Sequence, residues 1–202
     1  IPNLLRHVSN IKNVYKLPCV VAINRFPTDT DKEVEFIIEK CKALGVNVRL
    51  STVWAEGGKG GEELAKEVIR LCEEEDNSQF TFSYSDEETI EEKIGSIVKK
   101  VYGGDGVTFT PAAQKQIKKL TDMGFEKCPV CVAKTQYSFS DDSTKLGAPE
   151  NFTVTVRNVK ISAGAGFIVV LTGDIMTMPG LPKVPAADRI DVDGDGNITG
   201  LF

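Results

Sequence analysis

The segment that most constrains the fold of this chain is residues 18–54. It opens with residues 18–24, a continuous apolar run ended by a polar residue, which is typical of a parallel strand buried on both faces. A capping box at residues 30–33 then precedes an apolar stripe at helical spacing. Residues 46–53 alternate apolar and polar side chains as a second strand does, and Trp54 follows them. The segment therefore predicts one β-α-β unit.

The loop after the first predicted strand, residues 24–29, is a candidate for ligand binding. In open α/β sheets, ligands gather outside the carboxyl ends of the strands. An aromatic residue follows each strand of the unit, Phe26 after the first and Trp54 after the second. We therefore expect a flat ligand to lie between these two side chains. From the residues alone, a structural role in the core remains an equal alternative for Trp54.

The rest of the chain continues the alternation of helices and strands. Periodicity and capping residues predict further helices in residues 2–15, 62–72, 85–101 and 110–124. Strand patterns occupy residues 80–84, 130–133, 153–161 and 167–171, and a hairpin is predicted from residues 189–193 and 198–202. Together these patterns predict an α/β fold with three layers, a mostly parallel sheet flanked by helices and a C-terminal β-hairpin. A single domain spanning residues 1–202 is expected.

Composition narrows the classes of partner. With 41% hydrophobic residues, the 202-residue chain can bury a sizeable core. Its net charge of -5 argues against a broad basic surface, so neither nucleic acid nor an anionic membrane is an expected partner. No apolar run reaches the roughly 18 residues that a membrane span needs, and no signal-peptide pattern opens the chain. We therefore expect a cytoplasmic protein.

Because the chain starts at Ile1 without an initiator methionine, we expect it to be a piece of something longer.

A glycine-rich stretch, residues 57–61, lies between the second strand and the next helix. Glycine amides at a helix start can surround a phosphate group. The stretch departs from the Walker A pattern, because Gly60 stands where Ser or Thr should follow Lys59, and Val53 stands where the first glycine should be. A weak phosphate site and a flexible turn that admits the substrate both remain open.

Three other features invite a chemical role, and we favour a structural explanation for each. Cys128 and Cys131 form half of a zinc or redox motif, but the odd total of five cysteines and the apolar context favour reduced core thiols. Residues 191–196 resemble the start of an EF-hand loop, yet Phe202 occupies the position of the bidentate glutamate. His7, the only histidine, is expected at a helix edge without a nucleophilic partner. No catalytic residue and no metal site is predicted in this chain.

Several long stretches, in the same order, match a known family. They are residues 2–7, 21–30, 133–140 and 172–182, with the sequences PNLLRH, VAINRFPTDT, AKTQYSFS and TGDIMTMPGLP. Over nearly its whole length, the chain resembles the C-terminal domain of formate–tetrahydrofolate ligases. Independent matches of this length are more specific than any single motif above.

The resemblance implies an ATP-dependent and Mg²⁺-dependent ligase that joins formate to N10 of tetrahydrofolate through a formyl phosphate intermediate. In that family two aromatic side chains hold the pterin ring, and the matching positions are Phe26 and Trp54. Asn24, Pro27 and Thr28 would line the same pocket, and Leu50 would lie near the nucleotide base. The resemblance also implies a homo-oligomer.

The phosphate-binding loop of the family belongs to its N-terminal domain and has no counterpart in these 202 residues. Residues 24–27 stand where P-loop GTPases carry N-K-x-D, but Pro27 replaces the aspartate that selects guanine. We therefore expect poor ATP binding and no ligase activity from this chain alone, and we expect the N-terminal part of the same protein as its partner.

Two alternatives belong to other classes of function. One is a structural module that packs between subunits, for which the loop at residues 172–185 or the terminal hairpin could serve. The other is a stand-alone nucleotide-binding domain built around residues 57–61.

Overall fold

The computed structural model describes residues 1–133, 137–173, 175 and 183–200. The α-helices are α1 (Pro2–Ser9), α2 (Asp31–Lys42), α3 (Val53–Glu56), α4 (Glu62–Glu74), α5 (Ile90–Ile97) and α6 (Pro111–Asp122). The strands are β1 (Val20–Asn24), β2 (Asn47–Ser51), β3 (Gly106–Phe109), β4 (Val130–Ala133), β5 (Thr153–Ser162), β6 (Phe167–Thr172), β7 (Asp191–Val192) and β8 (Ile198–Thr199). The predicted α/β class and the antiparallel C-terminal hairpin are confirmed.

The N-terminal unit, residues 1–74, contains the predicted β-α-β arrangement. Strands β1 and β2 pair in parallel, and helix α2 connects them. Thr30 caps α2 as expected: its hydroxyl accepts the Glu33 N–H, and the Glu33 carboxylate accepts the Thr30 N–H. The buried cluster of this unit is small and consists of Val8, Cys41 and Val46, with partly buried apolar residues around it.

The C-terminal unit, residues 90–172, has a four-stranded sheet in the order β3-β5-β6-β4. Two of its pairs, β3 with β5 and β4 with β6, are parallel, whereas β5 and β6 form an antiparallel pair. Helices α5 and α6 pack on this sheet, and their apolar residues join those of the strands in one large buried cluster. The described strands are thus divided between separate sheets.

Helix α1 connects the two units. It runs into a π-helical turn, Asn10–Val14, and α5 runs into a second one, Val98–Tyr102. The side chains of Arg6 and Asn10 both donate to the carbonyl of Val101, at 3.3 and 2.8 Å. Because Val101 lies in the last turn of its helix, its carbonyl has no partner within the helix and is available to side chains of a neighbouring element.

Two strand predictions need correction. Residues 80–84 do not form a strand, because Thr81 donates its N–H to the carbonyl of Tyr15 and its hydroxyl to that of Val14, with no ladder on either side. Conversely, sequence patterns do not predict β3, because it is only four residues long and begins at a glycine. Pairing with β5 makes it a strand.

The burial of several residues also differs from expectation. Strand β1 was predicted to be buried on both faces, but Ala22 is exposed and Ile23 is half-buried, because a two-stranded sheet cannot cover it. Of the cysteines expected in the core, Cys41 is buried, whereas Cys72 and Cys131 are exposed. In β4 the alternation of side chains places Cys131 on the face opposite the buried Val130.

Parts of two family stretches lie outside the described residues, namely residues 134–136, 174 and 176–182, as does most of the loop at residues 172–185. The last two residues of the predicted hairpin, 201–202, lie outside them as well. In the part of the chain that is described, no helix is both long and apolar enough to cross a membrane.

Candidate functional site

The candidate site lies where β1 and β2 end. Asn24 and Ser51 are paired in the parallel ladder, so both strands deliver the chain to the same edge of the sheet. The N–H of Arg25 extends this pairing by donating to the Ser51 carbonyl at 3.2 Å. The loop before α2 and the loop before α4 therefore start side by side, as expected for the carboxyl edge of a parallel sheet.

Phe26 and Trp54 come together at this edge. Their ring centroids are 6.0 Å apart and their planes differ by 17°. Phe26 is 52% exposed and Trp54 is 54% exposed, so neither side chain belongs to the core. Two nearly parallel rings that both face solvent form a pair of walls, and a planar group could stack against either or between them.

The spacing of the walls limits what can enter. A planar ligand between two rings needs about 7 Å, because each stacked contact takes about 3.5 Å. The centroid separation of 6.0 Å is smaller than that. One wall must therefore move by on the order of 1 Å before a ring can lie between Phe26 and Trp54.

Trp54 is anchored by its polar edge. It lies in the short helix α3 instead of directly on the strand end, and its indole Nε1–H donates to the Arg25 carbonyl at 2.9 Å. The Arg25 guanidinium in turn pairs with the Asp31 carboxylate at 2.6 Å, in the first turn of α2. Trp54 is thus hydrogen-bonded to the loop that carries Phe26.

The remaining residues that the family resemblance placed here are all accessible. Asn24, Pro27 and Thr28 are exposed in the loop around Phe26. Leu50 is 38% exposed on β2, opposite Ile23 in the ladder. Their positions at one edge agree with a shared pocket, while their contacts with any ligand remain a prediction.

The glycine-rich stretch packs back onto the site. Gly57–Gly61 forms a 3₁₀ turn whose Gly60 carbonyl accepts the N–H of Thr52 at 3.1 Å. A Cβ atom at Gly60 would lie 2.5 Å from the Thr52 carbonyl carbon, so only glycine allows this approach. Helix α4 carries Glu62 and Glu63 in its first turn, and these carboxylates occupy the positive end of the helix. This arrangement favours a packed turn over a phosphate cradle.

A buried carboxylate that the sequence did not single out braces the sheet behind the site. The side chain of Glu67 is 3% exposed on α4 and accepts hydrogen bonds from Arg70, Asn47 and Arg49 at 2.9, 2.7 and 2.7 Å. Hydrogen bonds from Arg70 and Asn47 hold the pKa of Glu67 below its usual value. In the sequence, only Arg70, three residues after Glu67 on the same helix, indicates a possible ion pair.

Asp29 is a second residue of the site that sequence patterns do not indicate. Its carboxylate accepts the N–H of Phe26 at 2.8 Å. The spacing of three residues between an aspartate and a backbone N–H in a loop is a known local pattern, and it could have drawn attention to Asp29.

The EF-hand-like segment and His7, which the sequence offered as other possible sites, make contacts within the fold. Asp193 accepts the N–H groups of Asp195 and Asn197 within the hairpin turn. The His7 ring is exposed on α1 and lies 4.7 Å from the ring of Phe139. Among the described residues there is no group of three or more His, Cys, Asp or Glu side chains that could hold a metal ion.

Comparison with known families gives one match that covers the chain. The model of a family described as formate–tetrahydrofolate ligase matches residues 1–202.

Proposed function

The chain belongs to the formate–tetrahydrofolate ligase family, a family of ATP-using ligases that act on formate and tetrahydrofolate. From this premise, we propose that the chain is the folate-binding portion of such a ligase. The pterin ring of tetrahydrofolate lies between Phe26 and Trp54, and N10 receives the formyl group of formyl phosphate, from which inorganic phosphate leaves.

The observation that carries this proposal is the exposed, nearly parallel pair of rings at the carboxyl edge of β1 and β2. A flat heterocycle between the rings would remove one face of each ring from water, which is favourable. Each aromatic contact of this kind contributes roughly 0.5 to 1.5 kcal/mol beyond the burial of area.

The surrounding residues fit the same proposal. Asn24, Pro27 and Thr28 line the pocket beside Phe26, where an amide and a hydroxyl can meet the polar edge of a pterin. Leu50 offers an apolar contact to the base of the nucleotide from the neighbouring strand. None of these residues acts on the reacting atoms in this proposal, so they are binding residues and not catalytic ones.

We assign the phosphate chemistry to another part of the protein. The glycine turn packs on Thr52, and two carboxylates stand at the start of α4, so the phosphates of ATP, Mg²⁺ and formyl phosphate are held elsewhere in this proposal. It follows that this chain alone has no ligase activity and works with the N-terminal part of the same protein. Its setting is the cytoplasm.

The experiment is a titration of the intact ligase with a folate analogue, combined with a Trp54→Ala variant. We expect the analogue to quench the fluorescence of Trp54. We expect Trp54→Ala to raise the KM for tetrahydrofolate while the KM for ATP changes little. An unchanged KM for tetrahydrofolate in that variant would overturn the proposed stacking.

A second candidate function rests on a separate aromatic cluster. Phe80 packs edge-on against Phe82 with centroids 4.8 Å apart, and Phe82 is 76% exposed. An exposed cluster of this kind favours a role in packing between subunits of a homo-oligomer. Light scattering after size exclusion tests it: a purely structural module would self-associate and show no response to folate.

A further inference from the structure

The phenylalanine wall of the site has little packing to hold it. Phe26 is 52% exposed, and its ring neighbour is Trp54 at 6.0 Å. A side chain with so few contacts takes its direction from the backbone that carries it. What orients the backbone of Phe26 therefore decides where this wall stands.

Asp29 holds both polar groups of that backbone. Its carboxylate oxygen Oδ2 accepts the Phe26 N–H at 2.8 Å, and its own N–H donates to the Phe26 carbonyl at 3.0 Å. Asp29 is also half-buried in a loop whose residues 26–28 are exposed. A hydrogen bond to a charged acceptor is among the stronger ones in a protein, so this clamp is a substantial constraint.

The same loop holds the other wall. The Arg25 carbonyl, one residue before Phe26, accepts the Trp54 indole N–H at 2.9 Å. A rotation of the Phe26 backbone would shift this carbonyl as well. The separation and the 17° angle of the two rings are thus set together by the conformation of one short loop.

We propose that Asp29 is the positioning residue of the aromatic slot, acting on the ligand only through the backbone of Phe26. This inference rests on the proposed function for its consequence in folate binding. The clamp itself is a property of the ligand-free chain, and it makes a prediction there.

The test compares Asp29→Ala with Asp29→Asn. The asparagine side chain keeps a carbonyl oxygen that can accept the Phe26 N–H, whereas alanine removes the acceptor. Asp122→Ala is the matched control, because it removes an exposed acidic side chain that pairs with Lys118 on the distant helix α6. Circular dichroism and measurement of Tm check that each variant is folded.

The first measurement uses the ligand-free chain, in which Trp54 is the only tryptophan. We expect Asp29→Ala to make Trp54 more accessible to acrylamide quenching, because Phe26 no longer covers it. Asp122→Ala should match the unmodified chain, and Asp29→Asn should lie closer to it than Asp29→Ala does. Equal quenching in Asp29→Ala and the unmodified chain would overturn the proposal.

The second measurement is the affinity of the intact ligase for a folate analogue. We expect about a tenfold loss for Asp29→Ala, the size of one hydrogen bond to a charged group, and a smaller loss for Asp29→Asn, whose neutral amide oxygen accepts the same N–H more weakly. An equal loss in both variants would overturn the proposal, because keeping an acceptor for the Phe26 N–H would then make no difference to binding. If the unmodified ligase did not respond to the analogue but the quenching pattern held, the proposed function would fail while the clamp stood.

Discussion

The N-terminal and C-terminal units differ in how much they bury. Among the residues that the structure describes, the buried cluster of the C-terminal unit has fifteen members and that of the N-terminal unit has three. The larger cluster carries the burial that a stable domain needs, whereas the smaller unit keeps apolar side chains such as Phe26 and Trp54 in solvent. The comparison indicates that the exposed aromatic pair is carried by the weakly packed unit.

The largest effect is expected from a cavity in the C-terminal core. Ile94 is fully buried in α5, and Ile94→Ala removes apolar contacts that cannot be replaced. We expect the free energy of unfolding to fall by about 2 to 5 kcal/mol. Urea denaturation measures this loss. A loss below that of Val46→Ala in the N-terminal core would contradict the division between the two units.

Trp54→Ala should show the opposite behaviour. Because Trp54 is 54% exposed, its removal should change the free energy of unfolding little. Folate binding should weaken by about 1 to 3 kcal/mol through loss of one stacking face. The ratio of the two effects, measured by denaturation and by titration, distinguishes a binding residue from a core residue.

Ionisation of Tyr102 should make the stability of the C-terminal unit depend on pH. Burial raises the pKa of Tyr102 to about 12, and its hydroxyl donates to the Val132 carbonyl at 3.3 Å. The folded state holds the hydroxyl proton of Tyr102 more tightly than the unfolded state does. The contribution of Tyr102 to the free energy of unfolding is therefore complete below the ordinary pKa of about 10, and it is lost as the pH rises toward the pKa of the folded state.

We therefore expect Tyr102→Phe to reduce the loss of stability at alkaline pH. Its cost near neutral pH should be about 0.5 to 1.5 kcal/mol, the contribution of one hydrogen bond. Denaturation curves at several pH values measure both. An alkaline slope equal to that of the unmodified chain would contradict the role of Tyr102.

The smallest effect is expected at Glu67 in the N-terminal unit. Because the pKa of Glu67 is lowered in the folded state, Glu67 contributes to the free energy of unfolding above the ordinary glutamate pKa. This contribution is lost as the pH falls through the pKa of the folded state. Arg49 and Arg70 are 36% and 34% exposed, so water screens these ion pairs. We expect Glu67→Gln to flatten the acid limb of stability against pH, with Lys66→Gln as the surface control. Identical acid limbs would show that this network does not brace the sheet.

Local patterns predicted most of the elements, and failures occurred where a distant partner decides. The capping box of α2 and the paired ends of β1 and β2 follow from residues close in sequence. Strand β3 and the irregular residues 80–84 do not, because a strand exists only where a ladder partner is present. The burial of Glu67 depends likewise on Asn47 and Arg49, which lie on another element.

The sequence by itself determined the α/β class, the β-α-β unit and the placement of Phe26 and Trp54 after two neighbouring strands, because side-chain periodicity and capping are local. Only the tertiary structure decided that the two rings face each other 6.0 Å apart, and that Asp29 and the Arg25 carbonyl hold them there. Hydrogen bonds between loops depend on how the strands bring those loops together, and that arrangement is a property of the packed molecule.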